Sequence, residues 1–165
     1  MSRLEFRRAE EKDAALILRF IRELAAYEKL SDQVVATEPL LREWIFEKKK
    51  AEVLFPMEEG EEVGFALFFH NFSTFLGRAG LYLEDLFISP EYRGKGYGKA
   101  TLQKLAQIAV ERRCGRLEWS CLDWNKPSIA FYLSLGAVPM EEWTVYRLTG
   151  ETLTQMAAQQ KGETV

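Results

Sequence analysis

Residues 81–98 read LYLEDLFISPEYRGKGYG. The apolar run from Leu81 to Ile88 is strand-like and is interrupted only by Glu84 and Asp85. It stops at Ser89-Pro90 and enters a loop carrying Arg93-Gly94-Lys95-Gly96-Tyr97-Gly98. Behind the loop, Leu102, Leu105, Ala106, Ala109 and Val110 fall on one helical face. A strand, a glycine-rich turn and a helix in that order make a phosphate site. Glycines let main-chain N–H groups approach an anion, and the helix start adds its exposed amides and positive dipole end.

Spacing narrows the kind of phosphate ligand. A P-loop requires G-x-x-x-x-G-K-[ST], but Lys99 is followed by Ala100 and no glycine lies five positions before Gly98. A dinucleotide fingerprint requires G-x-G-x-x-G, and the third glycine would fall on Lys99 or Thr101. Both nucleotide classes are excluded.

The chain has 165 residues, 47% hydrophobic and 28% charged, enough for one globular domain over residues 1–165 with a sizeable core. Its formal net charge of −3 gives no general attraction to nucleic acid or anionic membrane, so neither is expected as a partner. MSRLEFRRAEEKDAA lacks the apolar stretch of a signal peptide, and no segment reaches the roughly 18 apolar residues of a membrane span. A cytoplasmic location is expected. Cys114 and Cys121 are too few for a metal site or disulfide framework, and packing roles are expected for both. No metal is expected. The single histidine, His70, ends an apolar run and is expected to be structural or solvent-facing.

Working outward, residues 3–8 predict a first strand. Leu16, Ile17, Phe20, Ile21 and Leu24 predict an amphipathic helix from Asp13 to about Tyr27-Glu28. Thr37 can cap a second helix with Pro39 in its first turn. Residues 51–55 and 63–70 predict an antiparallel hairpin joined by PMEEGEE, residues 71–79 a loop, and 80–88 a fourth strand. Another strand is expected over 117–122. Asn125 can cap a short helix that Gly136 ends, WTVYRLT at 143–149 reads as a last strand, and 151–160 as a terminal helix. The fold class is α/β, a mixed central sheet flanked by helices.

The loop Arg93-Gly94-Lys95-Gly96-Tyr97-Gly98, together with LEDLFISPEY before it, LDWNKPSIAFYLSLGA and the early LAAYE, resembles the GNAT N-acetyltransferases. The likeness is to the branch of diamine (spermidine/spermine) and thialysine acetyltransferases, and it covers about residues 3–157. The resemblance implies acetyl-CoA as co-substrate, with its pyrophosphate on the amides of Arg93, Gly94, Lys95, Gly96, Tyr97, Gly98 and Lys99. Arg93, Lys95 and Lys99 would add charge; for the two lysines a merely solvated face is the alternative. The resemblance also implies that main-chain groups of Leu86, Phe87 and Ile88 line the acyl-CoA site, that Asn125 and Ser128 contact the cofactor arm, and that the protein is a homodimer.

Chemistry supplies an independent reason for the acidic pair. An alkylammonium has a pKa near 10.4, so few molecules are nucleophilic at pH 7 and a base must take a proton. Glu84 and Asp85 can attract a cationic amine and accept that proton, directly or through water, although Asp85 can equally face solvent or pair with an arginine. By resemblance Glu84 is the base and Tyr132, in IAFYLSLGA, the acid that protonates the departing thiolate. Tyr27 and Glu28 match acceptor-site residues, an aromatic face beside a carboxylate that suits a cationic small-molecule amine. In place of an acidic residue and Pro-Trp, the chain has Ser73-Thr74-Phe75-Leu76-Gly77-Arg78, nearer the thialysine branch, where Arg78 can meet a substrate carboxylate. A protein N-terminus or lysine as acceptor, and a non-catalytic acyl-CoA-binding module, are the rival readings.

Overall fold

A computed structural model describes residues 4–159 of the chain, so the outermost residues of the expected first strand and terminal helix, Arg3 and Gln160, lie outside the described residues. The chain divides into two compact units, Met1–Ser120 and Cys121–Val165.

In the first unit, alternating apolar residues build a largely antiparallel sheet. Strand β1 (Glu5–Arg8) pairs with β2 (Glu52–Glu58), the short β3 (Glu61–Glu62) folds back on β2, and β4 (Gly64–Ser73) takes the other edge of β2. β5 (Arg78–Ile88) runs antiparallel to β4, and β6 (Leu117–Trp119) lies parallel to β5, so the order is β1-β2-β4-β5-β6 in a mixed sheet. Three strands, β2, β4 and β5, run further than the sequence predicts. β2 runs through Pro56 to Glu58, because Glu59 and Gly60 both take positive φ (50° and 84°) and close the chain in a two-residue turn. The expected loop 71–79 shrinks to a tight turn. Ser73 accepts hydrogen bonds from Leu76 N–H at its hydroxyl (3.1 Å) and from Gly77 N–H at its carbonyl (2.8 Å), which carries the ladder to Ser73 opposite Arg78.

Helices cover both faces. α1 (Ala14–Tyr27) lays Ile17 and Phe20 on the face that carries Val53, Phe55, Phe65 and Phe87. Phe20 is fully buried; it stacks on Phe65 at 5.8 Å and tilts against Phe55 and Phe87. Thr37 caps α2 (Glu38–Leu41) by accepting from Leu40 N–H at 3.3 Å, and the helix widens into a π-helical stretch, Arg42–Glu47, that buries Ile45 in the same core. α3 (Tyr97–Glu111) buries Leu102, Leu105, Ile108 and Ala109. Leu54, between the α1-facing Val53 and Phe55, points to the opposite face by strand alternation and lines a groove with Ile108.

Ion pairs fasten the edges. Arg7 donates to both Asp13 and Glu62, which holds the Asp13 carboxyl below its usual range. Arg112, just after α3, grips both oxygens of Glu52 at 2.6 and 2.9 Å, and the exposed His70 ring lies 3.4 Å from the same guanidinium.

In the second unit, α4 (Lys126–Ser134) begins at Asn125, whose side chain accepts from Ser128 N–H at 3.4 Å, and closes at Gly136 with φ 87°. α5 (Gly150–Gln159) follows. The strand expected at 143–149 is not formed: these residues carry no regular structure and no ladder. Strand propensity without a hydrogen-bonding neighbour does not hold a strand. Trp143, Val145 and Tyr146 remain 75%, 83% and 91% exposed.

Because Phe20 is the hinge of the aromatic core, Phe20→Ala is expected to lower the unfolding free energy by about 3–5 kcal/mol. Urea denaturation followed by far-UV circular dichroism measures this.

Candidate active site

The glycine loop follows a 3-10 turn, Pro90–Tyr92, that Ser89 and Pro90 set at the end of β5. Gly94 and Gly96 take φ of 78° and 80°, conformations that a side chain would strain, and a Cβ at Gly94, Gly96 or Gly98 would meet nothing within 4 Å. Main chain is therefore open to a close-approaching ligand along this turn. α3 starts directly behind it, and first-turn amides have no acceptor within their own helix. An anion such as a pyrophosphate fits this combination.

The loop is tethered by a residue that sequence reasoning passed over. Glu58, at the end of β2, accepts a hydrogen bond from the Tyr97 hydroxyl and one from Lys95 Nζ at 3.1 Å. The Glu58 contact raises the affinity of the Lys95 ammonium for its proton. A glutamate in a polar hairpin segment carries no signal that it will reach a distant loop. Lys99 is exposed beside the loop. Arg93 takes an unexpected course: its guanidinium lies over the rings of Tyr27 and Phe87, and Nε donates to the Ile88 carbonyl at 2.8 Å.

β5 then places the acidic pair. Leu67 pairs with Asp85 and Phe68 with Leu83, so Glu84 is the extra residue of a β-bulge. Glu84 is exposed at the kink and Asp85 is half-buried beside it. Burial, reinforced by the charges of Glu84 and Glu28, pushes the Asp85 carboxyl up to about 6. Burial also raises Glu28, at the end of α1 next to Tyr27. Tyr27, Glu28, Glu84, Asp85 and Arg93 are thus brought into one neighbourhood of the first unit.

Beyond the bulge, β5 pairs on one side only. Its ladder with β6 covers Leu81 to Leu83, whereas that with β4 continues to Gly64 opposite Ile88, and Ser89 N–H donates to Val63 O at 2.8 Å. Antiparallel pairing sends alternate residues to opposite edges, so the main-chain groups of Leu86 and Ile88 point away from β4. The Phe87 side chain is buried in the α1 core. Arg78 sits at the far end of β5, about 20 Å from Glu84 by strand rise, with its stem against Gly115. It does not meet a substrate at the acidic pair of its own chain.

The second unit carries the remaining candidates. Asn125 is buried at the start of α4, Ser128 lies in its first turn, and Tyr132 is half-buried with its ring 5.6 Å from that of Phe131. Among the described residues, no group of three or more His, Cys, Asp or Glu is placed to hold a metal ion, and no helix is long and apolar enough to cross a membrane.

Comparison with known proteins gives this geometry its class. Residues 18–137 match the acetyltransferase (GNAT) family. The chain is 40% identical to thialysine N-epsilon-acetyltransferase of Bos taurus over 95% of this chain and 99% of that one. It is 33% identical to the Homo sapiens spermidine/spermine N(1)-acetyltransferase-like protein 1 over 95% of this chain and 24% of that longer protein. Among solved structures, an integron cassette protein from the mobile metagenome of V. cholerae aligns with a TM-score of 0.78 at 31% identity, over 95% of this chain and 98% of that one. The chain belongs to the GNAT acetyltransferase family and is an acetyl-CoA-dependent N-acetyltransferase.

Two outcomes follow from the site's geometry. Gly96→Ala puts a side chain at φ 80° and is expected to weaken acetyl-CoA binding about tenfold, measured by calorimetry. Asp85 gives a pH signature. Between the free carboxyl value of 3.8 and about 6, the folded chain holds a proton that the unfolded chain has released, so this group's stabilising contribution falls as pH rises through that window. Asp85→Asn is therefore expected to raise the melting temperature by about 3 °C or more near pH 7.5, with the difference vanishing below about pH 4. Scanning calorimetry across pH measures it.

Proposed function

We propose that the chain acetylates the terminal primary amine of a small molecule, a thialysine- or lysine-like amino acid or a di- or polyamine, by direct attack of the amine within a ternary complex. The observation that carries this reading is the cluster of Glu28, next to Tyr27, with Glu84 and Asp85, where burial, reinforced by the charges of Glu84 and Glu28, raises Asp85 to about 6. Carboxylates that repel one another gain from a cation among them, and an aromatic face adds to its attraction. The kinship to a thialysine acetyltransferase along nearly the full chain supports an amino-acid-like acceptor.

Acetyl-CoA supplies the activated acetyl thioester. Amides from Arg93 to Lys99, with the lysine charges, hold its pyrophosphate; Asn125 and Ser128 contact its arm. The outward-facing groups of β5 at Leu86 and Ile88 line the reacting carbonyl, where an N–H can stabilise the developing oxyanion. The Glu84–Asp85 pair accepts the ammonium proton: Glu84 is the base, and burial, reinforced by the Glu84 charge, raises Asp85 to about 6. The Tyr132 hydroxyl returns a proton to the departing thiolate.

The active form we propose is a homodimer. Val138, Met140, Trp143, Val145, Tyr146 and Leu148 are exposed along one stretch of the second unit, apolar side chains that a partner chain would cover. Light scattering is expected to give twice the 19.1 kDa of one chain, and the double substitution Trp143→Asp, Val145→Asp to return the mass to that of one chain.

Thiol release from acetyl-CoA over spermidine, putrescine, thialysine, lysine and a short peptide tests the acceptor class. Turnover is expected with the small amines, falling about 100-fold or more in Glu84→Gln and in Tyr132→Phe. For the native enzyme, kcat/KM is expected to decline as pH falls through about 6, where Asp85 takes up a proton and the site loses that negative charge. Binding of acetyl-CoA without reaction of any free amine would overturn the small-molecule reading.

A further inference from the structure

We propose that Arg93 is a positioning residue that braces the acceptor-side ring of Tyr27 against the end of β5, so that one side chain of the cofactor loop sets the geometry of the amine site. The proposal rests on the reading of Tyr27 and Glu28 as acceptor residues. Its basis is a three-way contact. The guanidinium carbon lies 4.8 Å from the Tyr27 ring centre and 5.2 Å from that of Phe87, while Nε donates to the Ile88 carbonyl at 2.8 Å.

The partners come from two elements of the site, α1 and β5. Tyr27 closes α1 and is followed by Glu28, Phe87 anchors β5 in the aromatic core, and Ile88 is the last residue of that strand. Arg93 itself opens the glycine loop directly after the 3-10 turn. A guanidinium is suited to this position because it is planar, lies flat on aromatic faces, and still presents N–H groups at its edge. A lysine ammonium has the same charge but is compact and strongly hydrated, and it has no plane to lay against the rings while donating sideways. Tyr27 is 41% exposed, so its ring stands at the surface where the guanidinium can lie against it. Charge committed to two rings and a carbonyl is also charge turned away from an incoming anion. Lys95, Lys99 and the loop amides are left to meet the pyrophosphate.

The prediction separates two ligands that would otherwise change together. Arg93→Lys is expected to keep the acetyl-CoA Kd, measured by calorimetry without amine, within about twofold, while raising the amine KM about tenfold. Tyr27→Ala is expected to raise the amine KM similarly, and the double variant Tyr27→Ala, Arg93→Lys to add little more, because either change breaks the same contact. A second measurement needs no substrate. A double-mutant cycle on Arg93→Ala and Tyr27→Ala, read by urea unfolding, is expected to show coupling between the two residues; Tyr27→Phe, which keeps the ring, is expected to retain it.

A raised acetyl-CoA Kd in Arg93→Lys with unchanged amine KM would overturn the proposal and make Arg93 a pyrophosphate ligand whose geometry matters. A wild-type response of Arg93→Lys to both ligands would overturn it as well. Additive unfolding effects would remove the brace itself. If the native enzyme turns over no free amine, the acceptor reading fails by that result alone, and the unfolding cycle still decides whether Arg93 and Tyr27 are coupled.

Discussion

Strand β5 is paired along its whole length on the β4 side, but on the β6 side only as far as Leu83. The site depends on that asymmetry. A strand held on one edge by a continuous ladder is rigid, yet its other edge offers main-chain N–H and C=O groups to something other than protein backbone. The bulge at Glu84 falls where the two-sided pairing ends, and it sets Glu84 and Asp85 at the point where the edge becomes available. At the other end of the open stretch, Ser89 and Pro90 stop the strand and turn the chain into the glycine loop. Acidic pair, open edge and anion loop thus follow one another along a single run of backbone.

Around this run, the protein tolerates local conflict that the rest of the fold absorbs. Burial disfavours the charged forms of Asp85 in β5 and Glu28 at the end of α1, and the charges of Glu84 and Glu28 add to the effect on Asp85. Nothing about the core requires an aspartate there. The aromatic contacts of Phe20 with Phe55, Phe65 and Phe87 lie immediately beneath and provide the stability against which that repulsion is set.

Features that depend on near neighbours were legible in the sequence. Thr37 and Asn125 cap their helices because a short polar side chain needs only an amide three residues on. The glycine turn, the amphipathic face of α1 and the membership of the family could be read from local pattern, whereas that of α3 was read only in part: Leu102, Leu105 and Ala109 are buried as expected, but Ala106 and Val110 are exposed and Ile108 is buried in their stead. Features that depend on distant partners were not. The tight turn at Glu59-Gly60 needed a non-glycine residue at positive φ. Trp143 to Leu148 has strand-like alternation, but a strand exists only where another strand accepts its hydrogen bonds. The sequence marked Glu84 and Asp85 as candidates, yet their difference in environment comes from a bulge and, for Asp85, from burial and from Glu28 on another element. Arg93 was legible as a loop cation, whereas the rings it lies against come from α1 and β5.

The tether from Glu58 to Tyr97 and Lys95 bears on the thermodynamics of ligand capture. A glycine-rich segment left to itself would sample many conformations, and a ligand that needed one of them would forfeit binding energy to select it. Tyr97 is the first residue of α3 and is buried, so fastening it to β2 fixes both the direction of the helix and the loop in front of it before any ligand arrives. For an anion that docks on these amides, association would be the meeting with a preformed cradle, its rate set by encounter and ionic strength rather than by rearrangement of the loop.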